Sequence, residues 1–377
     1  MRRKLFFPVV TAAAALVALV APAVSAAQPT SAMSEHAAAC PGGTLLTAVS
    51  AQRLPAGATA YKYELPNGTS FENVAPPAGF NYATASNAVL TELNMPTRPT
   101  GAAAMKAWEA QVAPFAKSGI SRSEKFCEMA SAVPGPEAST AGQHAGSVAP
   151  QGSVGNYGST SFSGYTLMSP PYARAVGRFT QPGRTGTFNR LMSTWIGLNG
   201  TGSGGRLLQA GAGNELYAGS SPFWEQYCSG GSAAGCNGAI IDISVFVQPG
   251  NTVSINVAYN KSAHMSYYQV AVNGTLAINA KDPMQKTSNS GHTVNFFTER
   301  TAGDNIPTTS NIPFSASRTY AVYNSGTSVP FGSQKYAASE MTTNGKFYTG
   351  GCSNSHILMY PRSVTSGGFV NNYCRST

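Results

Sequence analysis

Gln209 stands in an apolar run, Arg206–Ala210, where a neutral amide is out of place. Side chains alternate across a strand, so Leu207 and Gln209 share one face and Leu208 and Ala210 the other. An amide there needs partners or carries the cost of an unsatisfied polar group. It is either a satisfied core glutamine or a group on an open face with a task. From residue 151 onward the acids are Glu215, Glu225, Asp242, Asp282, Glu299, Asp304 and Glu340. Glu299 ends the run Thr293–Glu299, in which alternation places Asn295, Phe297 and Glu299 together. A carboxylate beside an aromatic ring on a strand face suits proton transfer. The bland alternative is a strand-end acid paired with Arg300. Glu225 sits among Phe223, Trp224 and Tyr227, as a buried structural acid or as part of a cleft.

Other chemistries lack their residues. No serine is framed as G-x-S-x-G. The aspartates Asp242, Asp282 and Asp304 are in no D-T-G or D-S-G context. H-E-x-x-H is absent, and His264, His292 and His356 are scattered. The six cysteines have no zinc-ligand spacing, so no metal and no cofactor is expected. Gly200–Gly205 lies between strands rather than before a helix, which excludes a phosphate loop.

Short strands must position these groups. Charged residues are 10% of the 377, against roughly 25% in ordinary globular proteins. Glycine, small polar and aromatic residues fill the difference and favour strands and turns. From Asn156 onward the expected strands are Ser163–Ser169, Arg174–Thr180, Ser193–Leu198, Arg206–Ala210, Ala239–Val247, Thr252–Tyr259, Tyr267–Val272, Thr275–Ala280, Thr293–Glu299, Arg318–Tyr323 and His356–Tyr360. Pro249-Gly250 and Asn273-Gly274 read as hairpin turns. The fold class is therefore all-β, an antiparallel sandwich or barrel.

Residues 1–26 read as a signal peptide: a basic start, an apolar run from Leu5 to Val20, and Val24-Ser25-Ala26 at the cleavage site. Secretion to an extracellular location follows, with no membrane contact after cleavage. Residues 27–151 hold the helical patterns Ser86–Leu93 and Thr100–Lys117, then a Pro/Gly/Ser-rich linker between Ala132 and Gly155. This segment is read as a propeptide, and 152–377 as the β-sandwich body. Six cysteines in a secreted chain imply disulfides. Proximity suggests Cys40–Cys127, Cys228–Cys236 and Cys352–Cys374.

The ordered motifs Ser163-Gly164-Tyr165, Thr194–Gly200, Leu207–Gly211, Trp224–Tyr227 and Asn295–Glu299 resemble the glutamic peptidases, the eqolisin family. The resemblance covers most of the body. It implies a β-sandwich of the concanavalin and glucanase kind, monomeric, acting on protein or peptide substrates, with no nucleic-acid partner. It implies a catalytic pair, Gln209 and Glu299. Glu299 takes a proton from the attacking water and returns it to the leaving amine, while the Gln209 amide donates to the developing oxyanion, without a covalent intermediate. Glu225 is implied as a support of that network. Trp195, Trp224, Tyr227 and Phe297 are expected to line the cleft. The chain departs from the family pattern in Phe162, Asn199, Asn295 and the run Trp224-Glu225-Gln226-Tyr227-Cys228.

Two other readings use the same body. A lectin-like sandwich would hold glycan or peptide without catalysis, stacking Trp195 and Trp224 on its ligand. A glycosidase would need two carboxylates facing one another, for which Glu225 and Glu299 are the candidates. The body carries fourteen Lys plus Arg against seven acids, a formal +7. That charge fits binding to anionic polymers and carries no aromatic–basic pattern specific to nucleic acid.

Overall fold

The computed structural model describes residues 40, 43–112, 115, 125–129, 156–168, 171–185, 192–200, 206–216, 219–227, 239–283, 291–300, 306–315, 318–331, 336–348, 350–363 and 368–376. The signal sequence, the linker and the pair Cys228 and Cys236 lie outside the described residues. Cys40–Cys127 and Cys352–Cys374 are disulfides, with Cα–Cα distances of 5.8 and 5.0 Å.

The all-β expectation holds. Among the described residues, twenty-two strands are hydrogen-bonded into one continuous sheet, and Arg184–Thr185 pairs separately with Thr308–Thr309. The sheet doubles over into two layers. The front layer runs, in spatial order, Tyr336–Thr342, Phe162–Met168, Thr293–Arg300, Met192–Leu198, Leu207–Leu216, Gly219–Tyr227 and Ala239–Asp242. The back layer runs Tyr320–Tyr323, Tyr172–Thr180, Thr252–Asn260, Met265–Val272 and Thr275–Pro283. Along one side Ile357–Ser363, Phe369–Tyr373 and Ile312–Phe314 carry the ladder from front to back.

Alternation builds the core between the layers. Ile196, Leu198, Leu208, Ala210, Trp224, Val294 and Phe296 point inward from the front. Val253, Ile255, Val257, Tyr268, Val270 and Ile278 meet them from the back. Each such large side chain contributes about 1.5–3 kcal/mol by leaving water. A second apolar cluster, including Phe162, Trp195, Leu207, Phe223, Ile241 and Phe297, lies on the other face of the front layer.

Gly219–Tyr227, Tyr336–Thr342 and Phe369–Tyr373 lie outside the expected strands, and three further features differ from the sequence expectation. The strand expected over Arg206–Ala210 extends to Leu216, through Gly211-Ala212-Gly213. Glycine-rich sequence reads locally as turn. Here a Cβ on Gly211 would stand 2.3 Å from the Thr194 carbonyl, so the residue is what lets two strands approach. Pro249-Gly250 does turn, but it joins Ala239–Asp242 in the front layer to Thr252–Asn260 in the back, so those strands do not form a hairpin. Asn273-Gly274 does close a hairpin, both residues with left-handed φ (51° and 82°).

The third difference concerns residues 40–129. The expected helices are present as Asn87–Glu92, whose N-cap Ser86 accepts from the Val89 N–H, and Ala102–Val112. The described part of the segment also contains five strands that composition did not reveal. Two of these extend the body's own layers. Phe126–Met129 pairs with Ala239–Asp242 at the front edge, and Ser70–Ala75 pairs with Thr275–Pro283 at the back edge.

Candidate active site

The outer face of the front layer gathers the sequence candidates. The glutamine strand (Leu207–Leu216) lies between the tryptophan strand (Met192–Leu198) and the strand Gly219–Tyr227. On the far side of the tryptophan strand lies the glutamate strand, Thr293–Arg300. Register fixes what faces what. Gln209 stands directly opposite Glu225 on one side and Gly197 on the other. Gly197 is in turn opposite Asn295. Glu299 stands four residues further along its strand, level with Ser193. Two strand spacings separate Gln209 from Glu299 laterally, roughly 10 Å, with roughly 13 Å along the strands.

Each group is held in hydrogen bonds. The Gln209 amide Nε2 donates to Glu225 Oε2 at 2.6 Å. The Trp195 indole Nε1 donates to Glu299 Oε2 at 2.7 Å. Among the described residues Gln209 Oε1 has no hydrogen-bond partner. Gln209, Glu225 and Glu299 are buried, at 0, 0 and 2% exposure, so an unpaired amide oxygen there is costly and marks a place where a ligand group can bond. Among the ion pairs of the described residues, none joins Glu299 to Arg300, the bland alternative. Arg300 is on the other face and donates through Nε to the Thr160 carbonyl at 2.7 Å.

Aromatic packing fixes the indole. Phe297 meets Trp195 edge-on at 5.2 Å, and Phe162 stacks on Phe297 at 5.6 Å. Gly197 leaves room beside the ring. A Cβ there would sit 2.8 Å from Leu207 Cδ1, 2.9 Å from the Leu208 carbonyl and 3.2 Å from Trp195 Cζ3. Gly197→Ala is therefore expected to cost about 1–3 kcal/mol and to shift the tryptophan fluorescence. Denaturant unfolding with emission as the readout checks both, and an unchanged midpoint and spectrum would refute this packing.

Phe297, Trp195 and Glu225 thus stand on the same face as Gln209 and Glu299, and half-buried Tyr227 joins that face's apolar cluster at the strand end. Trp224 is not brought there. As the neighbour of Glu225 in a strand it points the other way, into the core, stacked on Tyr268 at 4.6 Å. Behind the site, burial first, and then the charges of Asp282 and Glu225, push the Tyr268 hydroxyl well above its ordinary value, so it stays protonated.

A polar chain beyond the candidates was not assembled from sequence. Asn295 Nδ2 donates to the Asn199 carbonyl at 2.6 Å, and Thr166 Oγ1 donates to Asn295 Oδ1 at 2.8 Å. Asn199 and Asn295 are two of the positions at which the chain departs from the family pattern, and they are in contact. Asn199 has a left-handed φ of 66°, which asparagine tolerates. Among the described residues, no group of three or more His, Cys, Asp or Glu is placed to hold a metal ion, and no helix is long and apolar enough to cross a membrane.

The site is thus a buried array of one amide and two carboxylates on one face of an antiparallel β-sandwich. No family model and no curated protein matches the chain. Among solved structures it is similar to scytalido-glutamic peptidase with a peptide-based transition-state analogue (13% identity, TM-score 0.43) and with a transition-state analogue inhibitor (12%, 0.43). It is also similar to SCP-B, a member of the eqolisin family of peptidases, in a complex with the tripeptide Ala-Ile-His (12%, 0.40). In each case 57% of this chain and 98% of the other is covered.

Proposed function

We propose that the protein is a secreted endopeptidase that works in acid, with Glu299 as general base and Gln209 as oxyanion donor. The observation that carries this reading is the shared face: an amide with an unpaired oxygen beside one carboxylate, and a second carboxylate fixed by an indole. The division of labour follows from residue type. Glu299 titrates, so it takes a proton from a water attacking the scissile carbonyl and returns it to the leaving amine. Gln209 donates without titrating, so its role does not change with pH. Both groups act on one carbonyl and its attacking water, so the reading requires their side chains to converge across the register offset.

Glu225 orients the amide. Accepting one N–H of Gln209 fixes the amide's rotation and leaves the second N–H for the substrate oxygen. Gln209→Ala is expected to lower kcat about 10²–10³-fold, the loss of one oxyanion donor, and to cost about 1–3 kcal/mol of stability because buried Glu225 Oε2 loses its donor. Hydrolysis of an acid-denatured protein from pH 2 to 7, in the presence of pepstatin, is the direct test of the whole reading. Absence of cleavage by the folded protein with its linker cut would favour the lectin-like reading instead. On the present reading residues 1–26 are the signal peptide, and processing cuts within 134–155.

A further inference from the structure

We infer that residues 40–129 are a permanent part of the fold, and that after a cut in the linker they stay on the body as a second, non-covalently held chain. This rests on the interface and not on the peptidase reading.

The segment is built into both layers of the sandwich. Its strand Phe126–Met129 forms a four-residue antiparallel ladder with Ala239–Asp242, and Lys125 adds a carbonyl to the Ile243 N–H at 3.1 Å. Its strand Ser70–Ala75 continues the back layer, with Asn73 opposite Ala280 and Glu72 opposite Lys281. Both are edge additions, so removal strips two body strands of their neighbours and exposes unpaired ladder groups.

The side chains bind more tightly still. Phe71, Phe126, Tyr63, Leu46 and Leu65 belong to the main core, and the Phe71 ring lies edge-on to Trp224 at 5.1 Å. In the other direction, Ala271 and Leu276 of the body complete the segment's own apolar cluster around Leu90, Leu93 and Trp108. Between them runs a buried polar seam. Gln269 Nε2 donates to the Leu93 carbonyl at 2.9 Å, and Asn279 Nδ2 donates to the Val74 carbonyl at 2.9 Å. The Asn279 N–H in turn donates to Asn73 Oδ1 at 2.9 Å. Losing the segment would leave these amides without their partners.

No disulfide makes this attachment. Cys40 and Cys127, the cysteines of the segment, are bonded to each other, so neither can bridge to the body. The helices lie over the outer face of the back layer, with Gln269, Asn256 and Arg174, whereas Gln209 and Glu299 are on the outer face of the front layer. Cys127 of the segment, with Cys40 and Met129 packed beside it, also joins the apolar cluster of Trp195 and Phe297 on the front layer's outer face, so the segment touches both outer faces.

The test uses the full chain with a recognition sequence for a site-specific protease placed within 134–155. After complete cutting, verified on a denaturing gel, native mass spectrometry and gel filtration at neutral pH report the assembly. The expected result is one species containing both pieces, which separate in denaturant without any reductant. Two species in native buffer would overturn the inference. So would co-elution that ends on reduction alone, because the attachment would then be covalent. Phe71→Ala in the cut protein is expected to raise the dissociation rate at least tenfold, and an unchanged rate would refute the role of that ring.

Discussion

Glu299→Gln is expected to reduce peptide hydrolysis in acid by about 10²–10⁴-fold, the range for loss of a positioned proton carrier. The substitution is nearly isosteric, and its amide oxygen still accepts from the Trp195 indole that now donates to Glu299 Oε2 at 2.7 Å. Phe297 and Phe162 keep the ring in place. Folding stability should therefore change by less than about 1.5 kcal/mol, while the ability to shuttle a proton is gone. Steady-state rates on a denatured protein substrate, with urea midpoints measured alongside, separate the two effects. Undiminished cleavage by the variant would remove Glu299 from the chemistry and shift attention to Glu225, the carboxylate that touches Gln209 directly. An equal fall in activity and stability would make Glu299 a structural acid.

The second large effect lies three strands away and on the opposite face. Trp224→Ala is expected to destabilise the fold by about 3–5 kcal/mol, as large-to-small changes in a core do. The indole is completely buried, stacked on Tyr268 at 4.6 Å and edge-on to Phe71 at 5.1 Å. At this chain length such a loss lowers the melting temperature by roughly 4–6 °C. Its Nε1 has no hydrogen-bond partner, so Trp224→Phe removes an unsatisfied donor along with the volume and should cost less than the alanine variant. Thermal unfolding of the pair measures the difference. A Trp224→Ala protein of wild-type stability but weakened substrate binding would return this residue to the cleft.

Trp224 and Glu225 show where local reading stops. The aromatic-rich run around them marked the stretch as important, residue type left Glu225 as either a structural or a cleft acid, and only the resemblance implied its supporting role. Which of the two faces the site depends on how Gly219–Tyr227 pairs with the glutamine strand, and a shift of one residue would exchange their roles. Pro222 and the small residues at the start of that strand conceal it locally, and pairing on both sides supplies what propensity does not.

The sequence by itself determined the class of fold, the Asn273-Gly274 hairpin, two of the disulfide pairs, and the grouping of Leu207 with Gln209 and of Asn295 with Phe297 and Glu299. All of these follow from periods and turn chemistry spanning a few residues, or from the proximity of cysteines. Only the tertiary structure decided that Gln209 meets Glu225, that Trp195 binds Glu299, and that Asn199 and Asn295 touch across 96 positions of sequence. It alone showed that Pro249-Gly250 crosses between layers and that strands before residue 130 complete both edges. Strand register and strand neighbours are set by contacts between segments far apart in the chain, and these leave no periodic trace in either segment alone.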